Sequence, residues 1–498
     1  MSVRVVRAGL SIAFTLAVGA FPVESHGADE AVVDTQAVVA DAVDAHAAVA
    51  DAAITVPLGA QLPVHTVLPF ALVLLSIAAM PLAAGHWWER NRHKALVMAI
   101  LAVPVAAYLA TVWGAEGRHQ IVEKLHEYAS FIALLGALFV ISGGILIQGS
   151  FSGTPIVNTA FLGSGVLLAN FIGTTGASML LIRPLLRANA PRQRVAHVVV
   201  FFIFLVSNCG GLLTPLADPP LYLGFLNGVP FEWTLRLWPQ WLFVNGVLLV
   251  VFHLLDQIVL NREEYERPGS QLEELMHHQP FKLVGAWNIA PLVGIIAVIY
   301  AGGQGIGNDG ERWPFGVQEG LMVGLAAASY FATPRAVHRG NSFDFRPIVE
   351  VAVLFAGIFV TMIPALLILN ARGGDLPVKS PHEFFWATGV LSSFLDNAPT
   401  YLTFAATAAG NEGIPATGTY LRTFLELPPA RNSHELLAAI ACGSVFMGAN
   451  TYIGNGPNFM VKAIAESQNV RMPGFFGYMF YSSIVLIPLY VGVGIVFF

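Results

Sequence analysis

The sequence predicts an all-α polytopic membrane protein built as an inverted repeat, with two re-entrant helical hairpins and two broken transmembrane helices. Its composition is the first reason: 55% of the 498 residues are hydrophobic, 11% are charged and mean hydropathy is +0.66. A soluble domain usually carries about 25% charged residues. The second reason is a run of long apolar stretches separated by short polar loops from residue 66 onward. The third is a set of four interruptions, paired between the two halves of the chain.

The first element is separate from the rest. Arg4 and Arg7 precede an apolar run from Ala8 to Ala20, and small and polar residues follow through Gly27 and Ala28. A span needs about 20 apolar residues, so residues 1–28 read as a signal peptide, with an uncleaved anchor as the alternative. Residues 29–62 form an Ala- and Asp-rich tail without Lys or Arg, expected outside the cytoplasm and poorly ordered. Residues 63–498 form the membrane domain.

Spans are expected near 66–84, 94–114, 128–149, 195–225, 238–259, 287–303, 316–333, 347–370, 434–466 and 473–498. Two more apolar segments, 157–186 and 383–409, are interrupted midway. Treating both as hairpins that enter and leave on one side places fifteen Lys or Arg in one set of loops and eight in the other. Arg183, Arg187, Arg192 and Arg194 then fall on the richer side. Basic loops mark the cytoplasm, so the N-terminal tail and the C-terminus are expected outside, with the body in a bacterial inner membrane. The repeats are about 94–260 and 316–498. Irregular backbone at membrane depth is tolerated only where it is buried or lines a cavity, and such paired breaks point to a transporter's binding site.

The hairpin tips, Asn170-Phe171-Ile172-Gly173-Thr174-Thr175-Gly176 and Ser393-Phe394-Leu395-Asp396-Asn397-Ala398-Pro399, align at an offset of 223. The broken helices, Gly210-Gly211-Leu212-Leu213-Thr214-Pro215-Leu216-Ala217-Asp218-Pro219-Pro220 and Met447-Gly448-Ala449-Asn450-Thr451-Tyr452-Ile453-Gly454-Asn455-Gly456-Pro457, align at 237. Gly and Pro break the helical ladder and free backbone carbonyls. With Asn, Thr and Asp side chains these are the hard oxygen donors that alkali cations accept. Half-helix N-termini suit anions, so a cation, a carboxylate or both would fit.

Of the 31 acidic residues, Asp218 and Asp396 lie well inside apolar segments. An intramembrane carboxylate is functional by default. A carboxyl taken out of water holds its proton more tightly, which permits proton-for-cation exchange near neutral pH. The alternative for Asp218 is an N-cap ahead of Pro219. Glu319, Glu350, Asp256 and Glu435 sit near span ends and are expected at the interface, as are His197 and His253. Trp87–Trp88 and Trp238–Trp241 read as interfacial anchors. Cys209 and Cys442 read as small buried hydrophobes. The net charge of −6 argues against a nucleic-acid partner. The tail and its approach supply the acidity, because residues 52–498 carry 23 basic against 24 acidic groups.

The tip Ser392-Ser393-Phe394-Leu395-Asp396-Asn397-Ala398-Pro399-Thr400 and the stretch Gly210 to Pro220 resemble the hallmark motifs of the ion transporter superfamily. That superfamily includes NhaD-type sodium/proton antiporters, arsenite permeases, the melanosomal P protein and citrate or dicarboxylate carriers. The stretches around Gly173 and Asp218 are similar to a bacterial subfamily labelled both as sodium:proton antiporters and as citrate transporters. The resemblance covers about 60–498. It implies a homodimer, with a scaffold and a transport domain in each protomer. Matched by position, Asp396, Asn397, Asp218, Thr214, Asn450, Thr451, Asn455 and Asn458 would line the site. The chain departs from its relatives at Gly173-Thr174, where several carry Asp-Asn, at Ala217, where Gly is usual, and in lacking the Ser-Asn-Thr signature of dicarboxylate carriers.

The expected function is secondary transport, a Na⁺(Li⁺)/H⁺ antiport with Asp396 as principal exchanging carboxylate and Asp218 as second ligand or cap. Thr174, Thr175, Asn170, Ser393, Asn397, Thr214, Asn450, Thr451, Asn455 and Asn458 would supply neutral oxygens. Sodium, lithium and protons are cargo, and no cofactor or enzymatic role is expected. A citrate-type carboxylate carrier is the alternative. An intramembrane aspartyl protease is a distant third, because Leu216-Ala217 replaces the Gly-x-Gly context before the aspartate.

Overall fold

The computed structural model describes residues 58–88, 90–150, 152–269, 279–341, 343–372 and 378–498. The expected signal peptide and the tail as far as residue 57 lie outside the described residues. The long helices are α1 (Leu68–Ala83), α2 (Asn91–Val112), α3 (Gly114–Gly143), α4 (Pro155–Ala188), α5 (Ala196–Phe204), α6 (Pro219–Leu226), α7 (Trp238–Glu266), α8 (Ile289–Gly303), α9 (Val317–Ala332) and α10 (Arg346–Arg372). They continue with α11 (Pro381–Ser392), α12 (Asn397–Asn411), α13 (Ser433–Met447), α14 (Gly456–Ser467) and α15 (Phe475–Phe497). Among the described residues, eight helical stretches are long and apolar enough to cross a membrane. The chain is an all-α, multi-pass membrane protein.

One of those eight, α4, does not run straight. At 1.5 Å per residue, Asn158 and Asn189 would lie far apart on a continuous helix. Instead their side-chain amides pair at 2.9 and 2.8 Å. The element folds back at Gly173, whose φ of 75° and ψ of 156° belong to a region that is essentially glycine-only. The second apolar segment folds back likewise: α11 and α12 meet at Asp396, and Asn411 at the end of α12 bonds the carbonyl of Val378 ahead of α11 at 3.4 Å. In each segment the two ends therefore lie side by side.

Contacts between loops sort the molecule into two ends. At one, Arg187 donates to the carbonyl of Ile147 (2.8 Å), Arg192 to that of Gly153 (3.0 Å) and Asn341 to that of Ile145 (2.8 Å), while Arg194 pairs with Glu266 (2.7 Å). At the other, Arg372 donates to Leu62, Gly418 to Glu123, Leu421 to Asn227 and Arg312 to Phe225. The loop with four arginines, 183–194, makes its contacts at the first end.

The first limbs of the broken helices, α5 and α13, are buried along most of their length, as a helix apolar around its whole circumference must be. Val198 to Phe204 of α5 and Leu436 to Met447 of α13 are all buried. The outer helices keep one apolar face exposed at helical spacing: Leu96, Ile100 and Val103 on α2, Val250, Leu254 and Ile258 on α7, and Phe476, Phe480 and Ile484 on α15. On a membrane protein such faces meet lipid or a partner subunit.

Several expectations are corrected. The span expected at 128–149 is a helix that begins at Gly114 and ends at Gly143. Residues 146–150 instead form β1, antiparallel to β2 (Gln279–Val284), since a short apolar run reads alike for either state. Asp256 is not interfacial. It is wholly buried, ion-paired with Arg192 at 2.6 Å and bonded to His197 at 2.8 Å and Asn158 at 2.9 Å. His253 bonds Thr159 at 3.0 Å. Trp88 is buried, and Trp241 donates to the carbonyl of Gly210 at 2.8 Å, whereas Trp87 and Trp238 are exposed as anchors would be. Cys209 and Cys442 are free and buried.

Candidate functional site

The site grows from the four breaks. In the first half, α5 passes into a π-helical turn, Leu205–Cys209, and then leaves helical geometry until Pro219 opens α6. Proline at the first helical position needs no N–H partner, so the chain restarts there with Asp218 at the N-cap. In the second half, a short 3-10 turn, Gly448–Asn450, leads to an extended stretch, and α14 restarts at Gly456-Pro457 with Asn455 at its N-cap.

Each broken stretch is tied to its own hairpin tip by the same bond. Thr214 donates its hydroxyl to the carbonyl of Asn170 at 2.5 Å, and Thr451 donates to the carbonyl of Ser393 at 2.5 Å. Asn170 and Ser393 are a pair at the offset of 223, and Thr214 and Thr451 a pair at 237. Around these bonds the side chains are brackets. Asn170 accepts from the backbone N–H of Leu213 (2.8 Å) and donates to Val166 (3.0 Å). Ser393 accepts from Asn450 at 2.8 Å, and Thr451 also accepts from the N–H groups of Ile453 and Gly454. Asn458 donates to the carbonyls of Gly448 and Thr451, both at 2.9 Å.

At the centre lies Asp218, 2% exposed. It occupies the N-cap position of α6, but its side chain makes no cap bond. The carboxylate instead accepts from the hydroxyl of Thr174 at 2.7 Å, from the amide of Asn397, and from the amide of Asn455 at 3.3 Å. Thr174 begins the second limb of α4, Asn397 is the first residue of α12, and Asn455 caps α14. Helix N-termini from both halves therefore converge on one carboxylate. Each such terminus favours a negative charge by about 0.3–1 kcal/mol, up to about 2 where partly buried. That convergence explains how the carboxylate is held with no Lys or Arg bonded to it among the described residues.

Asp396 has the other role. It caps α12, accepting from the backbone N–H of Ala398 at 3.1 Å, and it is only half-buried. Asp396 thus caps its own helix, whereas Asp218, for which a cap on α6 is the alternative reading, makes no such bond. Thr175 is not bonded to the carboxylate. It lines a neighbouring cavity of about 50 Å³, together with Gly173 and Thr174.

Two buried acceptors near the centre, Asn397 Oδ1 and Asn450 Oδ1, have no hydrogen-bond partner among the described residues. Both are hard oxygens of the kind a cation accepts. Sequence reasoning missed Asn208, wholly buried, which donates to Asn458 (2.7 Å) and accepts from Asn455 (3.2 Å). It also missed the hydroxyl pair Ser178 and Ser207 at 2.8 Å. The signal was present: Ser207-Asn208 is a polar pair inside the apolar run Phe201 to Cys209.

Two glycines are required by this packing. Gly173 carries the turn already described, and a Cβ there would sit 3.2 Å from the carbonyl oxygen of Leu216. Gly211 lies against the methyl group of Thr174, so a side chain there would push the hairpin tip off Asp218.

No curated protein matches the chain. A family model described as "putative citrate transport" matches residues 59–498. That range takes in both folded-back segments, both broken helices and every residue bonded to Asp218, and the chain belongs to this citrate transport family.

Proposed function

We propose that the protein is a secondary active transporter exchanging an alkali cation, Na⁺ or Li⁺, for a proton at Asp218. One observation carries this reading: a single buried carboxylate is ringed by neutral donors from both halves, Thr174, Asn397 and Asn455. An ionised carboxylate has about four acceptor positions, so the ring leaves one for a proton or a cation. The free oxygens Asn397 Oδ1 and Asn450 Oδ1 are candidate ligands. Asp396 positions α12 and thereby Asn397. The hairpins and broken helices form one inverted repeat, with re-entrant hairpins dipping from opposite faces, and they move together in alternating access. The Lys- and Arg-rich end faces the cytoplasm of a bacterial cell, and the protein works as a homodimer.

The second reading is a citrate-type carboxylate carrier. The family description favours it, and so do the converging helix N-termini, which suit a substrate carboxylate once Asp218 is neutral.

The test is a proton-gradient assay in inside-out vesicles, adding Na⁺, Li⁺, K⁺ and then citrate. Gradient collapse with Na⁺ or Li⁺ that Asp218→Asn abolishes is the expected result. Saturable citrate uptake with no response to any cation would replace the antiport reading with the carrier.

A further inference from the structure

We infer that the seam between the second limb of α4 and helices α3 and α10 is a water-filled access passage, leading from the Lys/Arg-rich end to Asp218 and closed by Phe139. The inference builds on Asp218 as the exchanging group, but its geometry stands apart from which substrate is carried.

Two cavities lie along the seam. The inner one, of about 50 Å³, is walled by Thr174 and Thr175 at the hairpin tip, Leu138 of α3 and Ile348 of α10. Thr174, which lines this cavity, donates to Asp218, so one side chain separates the cavity from the carboxylate. The outer one, of about 20 Å³, is walled by Ser142 of α3, Met179 and Arg183 of α4, and Asp344 ahead of α10. A water needs roughly 10–15 Å³ of such space, so both have room for one.

Phe139 borders both cavities. Its ring packs on that of Phe343 with centroids 5.3 Å apart, and 6% of the residue is exposed. Phe139 is thus the wall that the two voids share, backed on the outer side by Phe343. Helical periodicity makes the same point. Thr175, Met179 and Arg183 are spaced by four, so they share one face of the limb. A hydroxyl, a flexible thioether and a guanidinium stand here in place of the Ala, Leu and Ile that predominate on its other faces. On α3, Leu135, Phe139 and Ser142 share the opposing face. Arg183 is half-buried, and it makes no hydrogen bond or ion pair among the described residues, which leaves it to meet solvent at the mouth.

The experiment is thiol labelling, which needs no transport. In a Cys209→Ala/Cys442→Ala background, single cysteines are placed by Ser142→Cys and Thr175→Cys. A membrane-impermeant charged maleimide is then applied to inside-out and right-side-out vesicles. Ser142→Cys should react from the Lys/Arg-rich end alone, and Thr175→Cys should be protected. Adding Phe139→Ala should raise labelling of Thr175→Cys at least tenfold, and Phe139→Leu should leave it protected. Phe343→Ala removes the other ring and should also open the path, so the inference stays testable if Phe139→Ala does not fold. Labelling of Thr175→Cys that neither alanine variant changes, or that comes from the opposite end, would overturn the passage. Repeating the labelling with Asp218→Asn separates the two ideas. Loss of transport with intact gating leaves the passage standing, whereas intact transport in that variant sinks the exchange reading alone.

Discussion

Asp218 and Asn397 lie 179 residues apart in the chain and are hydrogen-bonded at its centre, the carboxylate of the first half accepting from the hairpin tip of the second. The sequence pattern made Asp396, next to Asn397, the leading candidate for exchange. The geometry gives Asp396 a cap to hold and Asp218 the ring of donors. The two aspartates should therefore separate on mutation. Asp218→Asn should lower transport at least 100-fold, because the charge that balances proton and cation is gone. Asp396→Asn should keep most activity, since Asn caps a helix about as well as Asp, and Asp396→Ala should cost about 0.5–2 kcal/mol of stability. Transport in vesicles and thermal midpoint in detergent measure the two effects independently.

The latches Thr214–Asn170 and Thr451–Ser393 make a paired prediction. Thr214→Val and Thr451→Val keep the side-chain shape and remove the donor. Thr214→Val should lose about 0.5–1.5 kcal/mol, the net worth of one hydrogen bond, and Thr451→Val more, because its hydroxyl also accepts from the N–H groups of Ile453 and Gly454. The latches share no partner, so the double variant should be additive within about 0.5 kcal/mol. Strong non-additivity in the unfolding midpoints would show that the two tips are coupled through the Asp218 ring.

Gly173 pairs with Asp396 at the offset of 223, and adding an aspartate there is the obvious attempt to create a second exchanging group. It should fail. The backbone at Gly173 has φ 75°, whereas its counterpart Asp396 has φ −55°. A side chain in that glycine region costs of order 1–3 kcal/mol, and its Cβ would crowd the carbonyl of Leu216. Gly173→Asp and Gly173→Ala should both lower stability and transport. An Asp variant that gained a second titrating step while Ala did not would show that the tip can rearrange.

Much of this architecture is legible in the sequence because it rests on local rules. Apolar length marks the spans, and Gly and Pro mark the breaks. The offsets of 223 and 237 pair Thr214 with Thr451 and Asn170 with Ser393, and these residues make the same bond. What the sequence hides is side-chain direction. Asp218 before Pro219 reads as a cap, and only packing against Thr174, Asn397 and Asn455 turns its carboxylate away from its own helix. Asp256 reads as interfacial from its distance to the span end. Nothing local says that the loop carrying Arg192 folds over it, 64 residues away in the chain.

That covered aspartate makes the last prediction. Arg192 and Asp256 have side chains 1% and 0% exposed, and the network around them joins both limbs of α4 to α7. Arg192 also reaches Glu263 at 3.4 Å and the carbonyl of Gly153 at 3.0 Å, and His197 bonds the same Asp256 oxygen at 2.8 Å. Breaking a buried pair by removing one partner typically costs about 3–5 kcal/mol, because the remaining charge is stranded. Asp256→Ala or Arg192→Ala should therefore destabilise the protein by that order and loosen the base of the hairpin. The double variant should recover part of the loss, because the closest pair of charges goes together and only Glu263 loses its guanidinium partner. The readouts are the unfolding midpoint and protease cleavage within loop 183–194. Equal stability of single and double variants would mean that Glu263 and His197 already satisfy whichever charge remains. If the pair holds the hairpin as a rigid arm, transport should fall in the single variants even at temperatures where they stay folded, because Thr174 at the tip would no longer be fixed against Asp218.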